Sequence, residues 1–170
     1  DDLDEQDSAT LKAWSGFETA LDEFEDVLYA SDKDWNIISS KIDVQSFADY
    51  YLISEWVENW DTFKSSTFCY RDGADDVLHM GPVWDYDSAL NNEDESYGVS
   101  DPHVDYAMNI QDQQRGEISL TWFTELMKCQ QFREVVQERY QRTMRPLLEN
   151  WSETCNDYRS TLENSAKMEF

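Results

Sequence analysis

Positive charge is what this chain has least of: 13 Lys and Arg stand against 37 Asp and Glu, leaving a formal net charge of -24 over 170 residues. A phosphate backbone is repelled by such a surface and counterion release cannot drive binding, so nucleic acid is excluded as a partner. An anionic ligand would need metal ions or a basic element supplied from outside the sequence. Apolar runs long enough to cross a bilayer are lacking, as is a signal peptide with a basic start and apolar middle. The expectation is a soluble chain without membrane insertion. Cysteine is scarce, and Cys69, Cys129 and Cys155 have no CxxC spacing for a zinc site or redox pair. They read as three buried thiols, with a Cys129–Cys155 disulfide as the alternative. There is no internal repeat, no low-complexity tract and no Walker-type glycine loop. The chain opens on Asp1 rather than Met, which reads as processing or as one piece of something longer.

What is present is aromatic. With 7 Trp, 9 Tyr, 8 Phe and a hydrophobic fraction of 40% the chain is too apolar for disorder and long enough to bury a one-domain core. After an acidic lead-in over 1–7, Ser8 is placed to cap a helix in which Leu11, Trp14, Phe17, Leu21, Phe24 and Leu28 share one face. The opposite face, with Glu18, Asp22, Glu25 and Asp26, reads as wet surface. The Ser31-Asp32-Lys33-Asp34 cluster ends this helix, and a connector carrying Trp35, Ile37 and Ile38 follows. Asp43 is placed to cap a second helix from Val44 towards Asn59, with Val44, Phe47, Tyr51 and Leu52 inward. It is apolar nearly all round and so expected to be buried, with Glu55 paired or pointing outward.

The period then changes. Thr67 to Arg71 reads as a strand, Asp72-Gly73-Ala74-Asp75 as a turn and Val77 to Met80 as the antiparallel partner, predicting a hairpin that returns the chain from Asp61 towards Asp85. Residues 93–120 are acidic without sustained period, a long loop or a set of short turns. From Thr121 two helices are expected with a break near Cys129 to Gln131. Pro146 forces a kink or an end, and Trp151 to Phe170 reads as a further helix with a frayed acidic end.

The stretch of greatest chemical interest runs from His79 through Gly81-Pro82-Val83-Trp84-Asp85-Tyr86-Asp87 to Asn92. Two carboxylates one residue apart repel by about 1 kcal/mol in water and more at lower effective dielectric. If Trp84 and Tyr86 bury them, a cation is the natural partner, and oxygen ligands suit magnesium, manganese or calcium rather than zinc. If they stay exposed, the cost is small and no ion is needed. His79 and His103 read as isolated and the Met residues as core filler.

Taken together, Ile42-Asp43-Val44 through Glu55, Asn59-Trp60-Asp61, Tyr70-Arg71-Asp72, Gly81 to Asp87, Thr121-Trp122-Phe123 and Phe132 to Val136 with Glu138-Arg139-Tyr140 resemble the CotH (spore coat protein H) family of atypical secreted or surface protein kinases. The resemblance covers about residues 42–148, leaving 1–41 as lead-in, amphipathic helix and connector and 149–170 as a C-terminal helix and tail. It implies an α+β, mainly helical fold, a kinase-like C-terminal lobe with one small hairpin. Asp61 is then the candidate catalytic carboxylate, and Asp85 the candidate ligand for Mg2+ or Mn2+, with Asp87 second and Asn91 and Asn92 weaker. Ser66 occupies the position about five residues beyond the catalytic Asp where many kinases hold a metal-binding Asn, and Trp84 flanks the nucleotide site. ATP is the implied cofactor, a protein Ser/Thr hydroxyl the acceptor, a separate or upstream N-terminal lobe the missing partner, and the outside of the cell or its surface the location.

Three readings compete with the kinase. A non-catalytic surface-binding or adhesion module would keep the fold without an upstream nucleotide lobe. A glycosidase-like carboxylate pair, Asp61 with Asp85 or Asp87, would need an open aromatic cleft. A structural calcium site at Asp85 and Asp87 would stabilise the protein without nucleotide.

Overall fold

The computed structural model describes residues 8–59, 66–87, 89–90, 111–112, 117–118 and 122–167. The chain divides into two compact units, Asp1–Val136 and Gln137–Phe170.

In the first unit α1 spans Ser8–Leu28, beginning at the expected cap residue itself. Its apolar stripe is buried only towards the C-terminus: Phe24 and Leu28 are fully buried, whereas Leu11 and Trp14 lie exposed. Trp14 covers part of its ring on Phe17 and donates its indole N–H to Glu18 at 3.0 Å. Lys33 ends the helix by donating to the carbonyls of Leu28 and Ala30, the role a cation plays at a negative helix terminus. The connector expected next is in fact a short helix, α2, Trp35–Ser39, because Asp34 caps it by accepting from the Asn36 N–H at 2.9 Å.

Helix α3 covers Val44–Val57 and is capped as expected by Asp43, whose Oδ1 accepts from the Gln45 and Ser46 N–H groups. Phe47, Ala48, Tyr50, Tyr51, Ser54 and Val57 are buried along it. The hairpin forms with shorter strands than expected, β1 Cys69–Tyr70 and β2 His79–Met80, pairing Cys69 with Met80 and Tyr70 with His79. The chain before α3 lies parallel to β2, a contact without a sequence signal: the Asp43 N–H donates to the Leu78 carbonyl at 2.8 Å and the Leu78 N–H to that of Lys41 at 2.9 Å. Between 93 and 120 the described residues form a second antiparallel pair, β3 Gln111–Asp112 and β4 Glu117–Ile118.

Helix α4, Trp122–Leu126, and α5, Gln130–Arg139, are separated by a break at 127–129, at the near edge of the Cys129 to Gln131 stretch where it was expected. Phe123 and Leu126 complete the core with Phe24, Leu28, Ile38, Phe47, Leu78 and Phe132. Phe24 meets Phe47 and Trp122 edge-on, at 5.7 and 5.4 Å between centroids. Each such ring removed from water contributes about 1.5–3 kcal/mol, and the edge-on geometry adds to it. Glu25 is not merely wet surface, since its carboxylate accepts from the Trp122 indole N–H at 2.7 Å.

The second unit is helical. The α-helix is interrupted ahead of Pro146, which opens a new segment and does not end the old one. Tyr140–Met144 widens into a π-helical turn, α6 runs Arg145–Glu149 with Pro146 in its first turn, and α7 spans Trp151–Ala166. Proline lacks an N–H to donate, so its place early in α6 costs little. Cys69, Cys129 and Cys155 are free thiols, and only Cys129 is buried; Cys155 is exposed on α7. No described helix is long and apolar enough to cross a membrane.

Candidate functional site

Helix α3 is the spine on which both ends of the hairpin and its following loop are fixed. At its start the capping carboxylate does two things: Asp43 Oδ1 holds the helix N–H groups, and Oδ2 lies 3.1 Å from His79 Nδ1. The other ring nitrogen, Nε2, lies 3.1 Å from Asp76 Oδ2, and the ring stacks on Tyr70 with centroids 5.1 Å apart. His79 is therefore not isolated; it ties strand β2, the hairpin turn and the helix cap together. Asp76 sits below the usual carboxylate range, chiefly because the Asp72 backbone N–H donates to it, with His79 and the Val77 N–H adding to the effect. The Met80 N–H donates to Ser46 Oγ at 3.1 Å, a second tie to the same helix turn.

The chain leaves β2 through Gly81, whose φ of +125° no residue with a side chain adopts without strain. The Gly81 N–H donates to the Phe68 carbonyl at 3.0 Å, and the Gly81–Pro82 peptide is cis. The loop then crosses the far end of α3. Tyr86 places its hydroxyl 2.9 Å from that of Ser54, a polar residue inside an otherwise apolar face. The Leu90 N–H donates to the Val57 carbonyl at 2.7 Å, satisfying a carbonyl that the helix leaves open. Asn59, two residues past the helix end, is 0% exposed, and its Nδ2 donates to the Asp85 carbonyl at 3.5 Å.

Asp85 itself is exposed, and its Oδ2 accepts from Ser66 Oγ at 3.5 Å. These two sequence-selected residues, 19 positions apart, are thus brought together. Asp87 and Trp84 also lie at the surface, Trp84 being 62% exposed, so aromatic rings do not enclose the two carboxylates. Asp61, Asn91, Asn92 and His103 lie outside the described residues.

Among the described residues, four with side chains hold positive φ around this helix end: Glu58 at 50°, Ser66 at 42°, Asp85 at 58° and Leu90 at 57°. For an L-residue that region costs roughly 1–2 kcal/mol. Strain of this kind persists only where the surroundings over-determine it, and it gathers at functional sites. A second cost lies beside it: Asn59 Oδ1 is buried and has no hydrogen-bond partner among the described residues, which costs about 1–3 kcal/mol.

Among the described residues no three His, Cys, Asp or Glu side chains are grouped to hold an ion by themselves. Asp85 and Ser66 do offer a carboxylate and a hydroxyl side by side. That donor set fits magnesium, which is usually held by one or two carboxylates, several waters and the phosphates of its nucleotide. Ser54, Asn59 and Tyr86 carry the site without a clear sequence signature; polar residues in and just after an apolar helix were the available sign.

No curated protein and no solved structure matches the chain. A family model described as CotH kinase protein matches residues 1–170, the whole length and so more than the 42–148 over which the motifs had suggested it. The chain belongs to the CotH kinase family.

Proposed function

We propose that this chain carries the phosphate-transferring half of an ATP-dependent protein kinase acting on Ser or Thr hydroxyls. The observation that carries the reading is Asp85, held in a left-handed backbone at the end of α3 with its carboxylate beside Ser66. Asp85 and Ser66 would hold the Mg2+ or Mn2+ of the nucleotide, with Asp87 next to them on the same loop. The ion supplies neutralisation of phosphate charge, on which phosphoryl transfer largely depends. Asp61 accepts the proton of the attacking hydroxyl as its oxygen bonds to the γ-phosphorus and the bond to the bridging oxygen of ADP breaks. With a net charge of -24 the chain repels ATP, so a basic N-terminal lobe or partner chain is the natural source of further phosphate contacts. The resemblance to secreted or surface CotH-like kinases supports a location outside the cell or at its surface, with another exported protein as the substrate.

Calorimetric titration with ATP and magnesium tests the reading, comparing wild type with Asp85→Asn in the 170-residue chain and in any longer form of the protein. Binding that requires both metal and Asp85 supports it. Equal binding by Asp85→Asn overturns the assignment of the ion to Asp85. Absence of binding in both forms favours a non-catalytic surface module, for which the exposed Val83, Trp84 and Leu90 on the same loop offer a contact surface.

A further inference from the structure

We infer that Asn59 is a positioning residue for Asp85, acting through the peptide group of the metal ligand rather than on substrate; the inference rests on the reading of Asp85 given above. Asn59 is completely buried, yet only one half of its amide is used, in the donation to the Asp85 carbonyl. The other half, Oδ1, finds no partner among the described residues. An apolar residue of similar size would avoid that cost, so fold stability alone does not account for an amide here. What the amide supplies is a donor aimed at one carbonyl, that of a residue with φ +58° whose carboxylate faces Ser66. Holding that carbonyl fixes ψ of Asp85, and with it the path by which the loop carries the Asp85 carboxylate to Ser66.

The helix end makes the donor effective. Glu58 turns the chain out of α3 in a left-handed conformation, and Leu90 closes the Val57 carbonyl from the other side. Asn59 therefore projects from a fixed point into the loop that carries Asp85. The donor–acceptor distance of 3.5 Å is long; catalytic hydrogen bonds commonly shorten in the substrate complex. Groups that orient a metal ligand typically change metal affinity by 10–100-fold when removed.

The test uses the full-length protein and Mn2+ with ATP as the probe, reading the dissociation constant from the free-ion electron paramagnetic resonance signal and stability from thermal unfolding. Asn59→Leu is expected to unfold no lower than wild type, because the orphaned oxygen is gone, while Mn2+–ATP affinity falls about tenfold. A merely structural residue would show the reverse, lower stability with unchanged affinity of the folded fraction, and that result overturns the inference. If Asn59→Leu does not fold, Asn59→Ala is judged by the same criterion, and failure of both to fold makes Asn59 structural and also overturns it. Asp85→Asn is measured in parallel. If it abolishes binding while the Asn59 variants leave it intact, only the positioning role fails. If it changes nothing, the metal reading itself fails.

Discussion

Glu125 shows how one residue can carry a large share of local stability. It is 6% exposed and bonded to Lys33 at 2.9 Å and to Lys128. Its carboxyl is held below its ordinary 4.5, first by the Lys128 hydrogen bond and then by Lys33, against the opposing effect of burial. A depressed carboxyl contributes stability above the unfolded value that is lost as pH falls through the folded one. Glu125→Gln should therefore cost about 3 kcal/mol at neutral pH, because the largely buried Lys33 ammonium loses its carboxylate and keeps only the Leu28 and Ala30 carbonyls. It should also flatten the acid side of the stability profile below about pH 5. Urea unfolding across pH checks both; an unchanged acid limb would remove Glu125 as the cause. The thiols make a second test at this scale. Burial pushes the Cys129 and Cys69 thiols up, while Cys155 is exposed. Cys155 should be alkylated first in the native protein and Cys129 last, as mass spectrometry of a labelling time course would show.

Elements here are held at their ends. Asp43 both caps α3 and meets His79, so Asp43→Ala should lower stability by at least the ~1 kcal/mol of a lost cap. Because the same carboxylate tethers β2, Asp43→Asn should retain the cap and lose less. Equal losses in the two variants, measured by denaturant unfolding, would show that His79 matters more than the cap. At the other end of the hairpin, a Cβ on Gly81 would meet nothing within 4 Å, so the cost of Gly81→Ala is backbone strain alone, about 1–3 kcal/mol. The same strain should displace the loop leading to Asp85 and weaken Mn2+–ATP binding; a variant as stable as wild type would contradict the +125° conformation. Helix α2 and the Lys41–Asp43 pairing with Leu78 escaped sequence reading because each is only a few residues long, too short for a period to emerge.

For the whole molecule, charge is the governing quantity. A net charge of -24 on 170 residues destabilises the compact state through self-repulsion. Raising the salt from about 0.01 M to about 0.15 M shortens the screening length from roughly 30 to 8 Å. The melting temperature should therefore rise over that interval, and an unchanged value would mean that the excess charge is already compensated locally. The mixed-sign pairs on the second unit, Arg142–Glu138, Arg145–Glu149 and Lys167–Glu163, are exposed i,i+4 contacts and offset little of it.

Local chemistry alone was enough to read the helices α1 and α3, the Asp43 cap, the hairpin and the break between α4 and α5. All of these rest on periodicity, capping and turn chemistry, which act over a few neighbouring residues. Long-range packing is what brings His79 to Asp43, 36 positions away, and Asn59 to the carbonyl of Asp85, 26 positions away. It also decided that Trp84 stands open rather than over the carboxylates. Such pairings exist only once the buried faces of α1, α3 and α4 have closed on each other. The energy of that core, not local preference, then holds Glu58, Ser66, Asp85 and Leu90 in a conformation each would avoid alone.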